Sequence, residues 1–211
     1  MEIELGCFSV ERTHSEKTFL VPQLRLNYGM VRSWEVVGEF EVAEPADESV
    51  QLASPGLFLK GVLKEGILQE QEGASFAVEA GPLLPSTLSG EKHLGLEGIG
   101  ILSGQLFPLT YHLNIGGGLN RARADPFVMW GLITEMPVLP NFRLVGEING
   151  ESVEKERADN SGLLGFIWKP SAANVFIDLG VRKGLSTAAP DWGVTTGVTF
   201  SYFVGPGTNG I

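Results

Sequence analysis

The chain has a single cysteine, little positive charge and no long hydrophobic run. Cys7 stands alone among 211 residues, so an intrachain disulfide, a CxxC redox pair and a multi-cysteine zinc site are excluded. No stretch approaches the roughly 18 apolar residues that a membrane-spanning helix requires. The chain carries 15 Lys and Arg against 25 Asp and Glu, and it has no dense basic cluster that would favour nucleic acid.

Signatures of nucleotide, metal and hydrolytic sites are also missing. The run Gly116-Gly117-Gly118 lacks the spacing and the following Lys-Ser/Thr of a phosphate-binding loop. The histidines, His14, His93 and His112, are scattered without a carboxylate–histidine spacing, so we expect no bound metal and no cofactor. No spacing sets a nucleophile beside a base, and we expect no enzyme, although triads need not be local in sequence.

The strongest positive signal is a pair of alternating segments between Asn174 and Phe203. The apolar face of the second segment consists of Trp192, Val194, Thr196, Val198, Phe200 and Tyr202. Glycine, threonine and serine occupy the positions between them, and this period of two predicts a β-strand with two unlike faces. Aromatic residues at both ends of an apolar face, backed by small polar residues, are typical of a lipid-facing barrel strand.

The same alternation divides the whole chain into about twelve segments. The ten segments that precede the pair between Asn174 and Phe203 are roughly Glu2–Val10, Phe19–Tyr28, Trp34–Val42, Leu57–Lys64, Ala74–Leu83, His93–Leu102, Leu109–Gly116, Phe127–Met136, Phe142–Asn149 and Gly162–Lys169. The sixth is irregular, because Leu94 and Leu96 share one parity while Ile99 and Ile101 share the other. We expect a bulge near Gly98 to bring these four residues back to one face.

The connections alternate between tight turns and longer polar loops, as they do at the two rims of an outer-membrane barrel. The tight ones are Tyr28–Trp34, Ser103–Pro108, Pro137–Phe142 and Pro170–Asn174. The longer ones are Thr13–Thr18, Ala43–Pro55, Leu84–Lys92, Gly150–Ser161 and Lys183–Asp191, with Arg121–Pro126 as the short member of the set. The segment Glu65–Gly73 is long for a periplasmic turn, so the fourth strand is expected to run further than its alternation shows.

These patterns predict an all-β protein, a closed antiparallel transmembrane β-barrel of about twelve strands, with short periplasmic turns and longer extracellular loops. We assign the barrel to residues 1–204 and a flexible tail to residues 205–211. The predicted location is the bacterial outer membrane. Export there requires a signal peptide, and since this numbering starts directly in alternation, we expect that peptide to have been removed already.

Strand parity separates an inward polar face from an outward apolar one. The predicted pore-lining residues are Arg25, Glu35, Glu39, Lys60, Glu79, Glu97, His112, Asn114, Glu135, Arg143, Glu147, Lys169, Asp178 and Arg182. The predicted membrane-interface aromatics are Tyr28, Trp34, Tyr111, Trp130, Trp168, Trp192 and Tyr202. The polar residues form either a wet channel lining or an ion-paired plug. Seven carboxylates against five cations in the first set indicate a weak preference for cations.

Four stretches together resemble one bacterial family. They are Glu2-Ile3-Glu4-Leu5-Gly6, Leu24-Arg25-Leu26-Asn27-Tyr28-Gly29-Met30 with Trp34-Glu35-Val36, His112-Leu113-Asn114-Ile115-Gly116, and Asp178-Leu179-Gly180-Val181-Arg182-Lys183-Gly184-Leu185 with Ala189-Pro190-Asp191-Trp192-Gly193-Val194. They resemble the outer-membrane family named for the MetA pathway of phenol degradation, over nearly the whole chain. The resemblance implies a transporter barrel and aromatic or other apolar solutes. One departure is that Phe203 is followed by eight residues, whereas such barrels commonly end on an aromatic.

We therefore predict an outer-membrane channel or transporter for the diffusion or facilitated uptake of small molecules. Its expected partners are outer-membrane lipid, lipopolysaccharide and a small-molecule solute, without nucleic acid, and it is expected to be a monomer. One alternative is a soluble or periplasmic β-barrel that binds an apolar ligand, because that fold has the same alternation turned inside out. A second alternative is an outer-membrane barrel enzyme with its site at the outer rim.

Overall fold

A computed structural model of the chain describes residues 2–13, 16–45, 50–87, 91–170 and 174–201. The strands are β1 (Glu2–Thr13), β2 (Glu16–Val31), β3 (Trp34–Pro45), β4 (Gln51–Lys64), β5 (Ser75–Leu83), β6 (Gly95–Leu106), β7 (Leu109–Leu119), β8 (Pro126–Leu139), β9 (Phe142–Val153), β10 (Asp159–Trp168), β11 (Val175–Gly184) and β12 (Trp192–Ser201). A short 3₁₀ turn, Ile67–Gln69, lies between β4 and β5. In the part of the chain that is described, no helix has the length and apolar character to cross a membrane.

The twelve strands form one closed antiparallel barrel, as the alternation predicts. Each strand pairs with its neighbours in sequence, and β1 closes the ring by pairing with β12 from Glu2 opposite Ser201 to Arg12 opposite Trp192. Closure leaves no strand edge unpaired, which is the condition for a sheet to sit in lipid. The predicted tail at 205–211, the barrel residues 203–204 and the aromatic Tyr202 lie outside the described residues.

The barrel has two different rims, named here for their connections. The turn end carries Glu2, Ser201 and the connections at 32–33, 65–74, 107–108, 140–141 and 169–174. The loop end carries the connections at 14–15, 46–50, 84–94, 120–125, 154–158 and 185–191. Several loop-end connections are shorter than predicted, because β1, β3 and β9 extend through residues assigned to loops. Strands can continue their hydrogen bonding through polar residues beyond the apolar band of the barrel. The hydropathy pattern detects only the part of each strand inside that band, so it predicts strands that are too short.

The expected bulge near Gly98 is wrong. The pairing of β6 with β5 and β7 runs without a register shift, and Ile99 lies opposite Glu79 on one side and Gly116 on the other. Ile99 and Ile101 therefore turn into the barrel, while Leu94 and Leu96 turn outward and are exposed. The register of this segment is continuous. Its hydropathy is irregular because apolar residues occupy the outer face at the start of the strand and the inner face further along.

The outer face of the barrel is apolar and exposed. Large side chains such as Ile115 and Leu164 are 60% and 75% exposed, whereas Glu79 is only 5% exposed. A continuous apolar exterior of this extent requires a nonaqueous surrounding. The arrangement contradicts the alternative of a soluble barrel with an apolar interior, because that barrel would carry its charged face outward.

Six predicted interface aromatics stand on this outer face and group at its two ends. Tyr28, Trp34, Tyr111 and Trp168 lie toward the turn end, and Trp130 and Trp192 lie toward the loop end. Three of these aromatic rings cover a glycine on the adjacent strand: Trp34 covers Gly61, Tyr111 covers Gly104 and Trp130 covers Gly150. A Cβ at Gly61 would come within 2.7 Å of the Trp34 ring, so the glycine provides the space for the aromatic.

An apolar cluster lies inside the barrel. Val37 of β3, Phe58 of β4, Leu83 of β5 and Phe127 of β8 are all buried, and Met129 and Val153 pack against them. The neighbouring inward positions of β6 and β7 are small where these side chains meet; Leu83, for example, rests against Gly95. The cluster fills one side of the lumen as the core of a soluble domain would. Hereafter it is called the lumen core.

The lumen core predicts a stability difference between two adjacent residues of β4. Phe58→Ala is expected to lower the free energy of unfolding by about 3–5 kcal/mol, because it opens a cavity among packed side chains. The control is Leu57→Ala, whose side chain is exposed on the outer face and lies outside the lumen core. Denaturant titrations in lipid vesicles would measure both variants. Equal losses at the two positions would contradict the packing described for the lumen.

Candidate pore lining

The structure places the predicted pore-lining residues on the inward face of the barrel. Residues directly opposite each other on neighbouring strands share a face of the sheet. Arg25 lies opposite Glu39, Glu35 lies opposite Lys60, and Lys60 lies opposite Glu79. Arg25 on β2 reaches Glu79 on β5, and two strands three positions apart can exchange side-chain contacts only across the lumen. The other predicted residues share this parity in β6–β11, with Lys169 directly after β10.

One group of these residues forms an ion-paired network on β2–β5. The Arg25 guanidinium donates to Glu39 at 2.7 Å and to both oxygens of Glu79, at 2.7 and 2.6 Å. Lys60 lies 2.9 Å from Glu35. Because an unpaired charge in a confined space costs several kcal/mol, the deeply buried Glu79 depends on Arg25. This part of the lining matches the ion-paired interpretation of the sequence.

A second group surrounds His112 on β7. Its Nδ1 lies 2.8 Å from the Ser103 hydroxyl, its Nε2 lies 3.7 Å from Glu135, and Arg143 donates to Glu135 at 2.7 Å. Serine, histidine and glutamate are the members of a hydrolytic triad. Ser103, however, is only 1% exposed, so its hydroxyl does not meet a solute in the lumen. The arrangement orients His112 and presents no nucleophile.

The third group supplies the positive side of the lumen. The Arg143 guanidinium and the Lys169 ammonium lie 5.8 Å and 5.1 Å from the ring centre of Phe176 on β11. Both distances fall within the range of a cation–π contact, which holds the two cations on the β9–β11 wall. Further along β11, Arg182 donates to the Ser161 hydroxyl at 3.3 Å.

Among the residues whose side chains the structure describes, the sequence assignment missed six inward carboxylates. They are Glu2, Glu4, Glu11, Glu41, Glu151 and Asp159. Three of them have neutral hydrogen-bond donors: Ser201 donates to Glu2, Asn27 to Glu4 and Gln23 to Glu41. Alternation in the first and third segments could have identified Glu4 and Glu41, whereas Glu151 and Asp159 stood in an expected loop. The lining is therefore more acidic than the predicted set indicates.

Three adjoining cavities lie beside the lumen core and extend away from it around the barrel. They measure about 290, 270 and 310 Å³. The first, cavity A, is bordered by Glu4 and Asp178; the second, cavity B, by Ser9; and the third, cavity C, by Glu151 and Asp159. Cavities A and B share lining residues, and so do B and C, so the three adjoin as one polar region along β8–β12 and β1–β4, hereafter called the passage.

A fourth cavity, of about 320 Å³, lies below the β4–β5 connection at the turn end. Ile67 and Leu68 of this connection border it together with His112, Glu135 and Arg143. The expectation that β4 runs further is wrong: the strand ends at Lys64 and the 3₁₀ turn follows. Glu65 is paired with Arg32 of the neighbouring turn at 3.1 Å. The long connection therefore narrows this mouth of the barrel.

At the loop end, Arg121 and Arg123 tie the connections together. Arg121 donates to the carbonyl oxygens of Leu84 and Pro55, which links the β7–β8 loop to β4 and β5. Arg123 donates to Asp125 at 2.7 Å, and this hydrogen bond raises the pKa of the guanidinium. Among the described residues, no group of three or more His, Cys, Asp or Glu side chains is arranged to hold a metal ion.

Comparison with solved structures shows the fold. A KdgM porin in complex with disordered oligogalacturonate is similar over 96% of this chain and 100% of its own, with 11% identity and a TM-score of 0.68. A NanC porin is similar over 95% of this chain and 99% of its own chain, with 8% identity and a TM-score of 0.69. No protein-family model and no curated protein matches the sequence. The chain thus has the twelve-stranded barrel fold of outer-membrane porins, and the resemblance to the MetA-pathway family stays a prediction.

The network around Arg25 generates a stability prediction. Arg25→Met is expected to lower the free energy of unfolding by about 3 kcal/mol, because Glu79 then remains buried without its cation. Adding Glu79→Gln should restore part of this loss, since a neutral amide needs no counter-charge. The matched control is Arg123→Met in an exposed loop, for which little change is expected. Absence of rescue in the double variant would show that Arg25 acts through packing alone.

Proposed function

We propose that this chain is a passive channel of the bacterial outer membrane that carries small polar molecules. The observation that supports this most strongly is the polar passage formed by cavities A, B and C inside a barrel with an apolar exterior. A barrel of about eight strands is filled by its own side chains, and twelve strands enclose more space. The lumen core fills only part of that space.

The exterior supports a membrane location and a monomeric state. Its apolar band would contact lipid, and the aromatics at the two ends would lie at the headgroups. We propose that the loop end faces outward and contacts lipopolysaccharide, while the turn end faces the periplasm. Because β1 pairs with β12, the barrel needs no second copy to complete its hydrogen bonds.

The charge of the lining bears on the solute. Oligogalacturonate, which accompanies the KdgM porin, is a polyanion. Among the charged residues that line the passage in this chain, carboxylates outnumber cations, and a fixed charge of one sign concentrates solutes of the other. We propose a weak preference for cations and neutral polar molecules over anions. Small aromatic compounds, which the MetA-family resemblance implies, are a further solute class to test.

The channel function predicts discrete, ohmic current steps when the purified protein is reconstituted in a planar lipid bilayer. In a potassium chloride gradient, the reversal potential should show potassium crossing more readily than chloride. Heat-modifiable gel mobility would verify that the barrel is folded. Folded protein that leaves the bilayer silent would contradict an open channel and indicate a plugged barrel.

Removal of two charges from the passage should change its conductance. The double variant Asp178→Ala, Arg182→Ala deletes one border of cavity A and one shared by cavities B and C. It widens the passage and changes where its charges lie, while the net charge stays the same. Single-channel recordings should therefore show a different conductance at the same salt concentration. If conductance and stability both equal those of the unaltered protein, neither residue lines the path of the solute.

A further inference from the structure

The lumen of this barrel is divided lengthwise. The lumen core occupies the side formed by β3–β5 and by the adjoining parts of β8 and β9. Cavities A and B lie against β11, β12 and β1–β3, with Ser54 of β4 also bordering cavity A. Cavity C continues onto β8–β10, where Met129 borders both this cavity and the lumen core. Because packed side chains fill the lumen core, a solute that crosses the barrel is expected to pass through the three cavities.

Two junctions connect the cavities along this route. Gln23, Glu41 and Thr195 border both cavity A and cavity B. Glu11 and Arg182 border both cavity B and cavity C. A solute that moves from one cavity to the next passes between these side chains, so they contact it more closely than residues elsewhere in the lumen.

The first junction is negatively charged. The Glu41 carboxylate accepts a hydrogen bond from the amide of Gln23 at 3.0 Å, which orients the side chain without neutralising its charge. The hydroxyl of Thr195 completes the border. A positively charged group can replace part of its hydration here with a carboxylate and a hydroxyl oxygen.

The second junction has charges of both signs on β1 and β11, the two strands that flank β12. In the register, Gly193 of β12 lies between Glu11 of β1 and Arg182 of β11. Two strand spacings separate the backbones of these two residues by about 10 Å, and the glycine between them adds no side chain to the gap. Arg182 is the only cation among the residues that line cavities B and C. The acidic neighbours Glu151 and Asp159 in cavity C outnumber it.

We propose that Glu11 and Glu41 are the specificity-determining residues of the channel and select small organic cations with an ammonium or guanidinium group. Arg182 opposes this selection and limits it. The inference rests on the proposed channel function. The proposal differs from a general effect of lumen charge, because it assigns selectivity to the residues that border two cavities at once.

The test compares neutral variants of equal charge change at junction and non-junction positions. Glu11→Gln and Glu41→Gln remove one junction carboxylate each, and Glu147→Gln is the matched control. Glu147 is also an inward carboxylate that accepts a hydrogen bond from an amide, that of Asn149, but it lies on β9 and does not line cavities A, B or C. Planar-bilayer reversal potentials would give the permeability ratio of potassium to chloride, and a bi-ionic gradient of arginine hydrochloride against potassium chloride would test an organic cation.

Each junction variant is expected to lower the potassium-to-chloride ratio by about fivefold, the effect of one unit charge at about 4 Å in water. The permeability to the arginine cation should fall in the same variants. Arg182→Gln should raise both quantities, and Glu147→Gln should change them much less. Heat-modifiable mobility would show that each variant is folded, and glutamine keeps the size of glutamate.

The possible outcomes separate this inference from the channel function. Equal shifts in Glu11→Gln, Glu41→Gln and Glu147→Gln would overturn the assignment to the junctions, because the total charge would then set selectivity. Ohmic current with unchanged selectivity in the double variant Glu11→Gln, Glu41→Gln would overturn it as well. A folded, unaltered protein that carries no current would instead overturn the channel function, and the inference with it.

Discussion

The backbone of a membrane-embedded sheet must satisfy all its hydrogen bonds internally, and the rest of this structure depends on that constraint. The pairing of β1 with β12 meets it by closing twelve strands into a ring. Once the ring is closed, alternate side chains must face lipid or the lumen. The apolar exterior, its terminal aromatics and the polar interior are consequences of this one requirement.

The interior meets a second requirement, because charges in a narrow space must pair or remain hydrated. On β2–β5, Arg25 pairs with Glu39 and Glu79 beside the lumen core. Arg25 and Glu39 also border cavity A, whereas Glu4 and Glu41 of the same cavity have neutral hydrogen-bond donors. Structural pairing and a polar cavity lining are thus both present in the same barrel.

The porins with this fold illustrate how little the fold specifies the solute. The KdgM and NanC porins share the barrel with this chain at 8–13% identity. Strand number and closure require only alternation, so the inward positions are free to vary in charge. In this chain those positions carry an excess of carboxylates, and Arg25 and Arg182 are the cations that border cavities A, B and C. The chemistry of the lining, more than its architecture, is what distinguishes barrels that share this fold.

The sequence by itself determined the strands, the two kinds of rim and the polar parity that contains Arg25 and Arg182, because period-two alternation is a local signal. Only the tertiary structure decided that this parity faces inward. It also decided that Ile99 turns into the lumen, that Arg25 meets Glu79, and that Val37 and Phe127 join one core. These contacts depend on the register between strands far apart in sequence and on the curvature of the closed ring, and no local pattern specifies either.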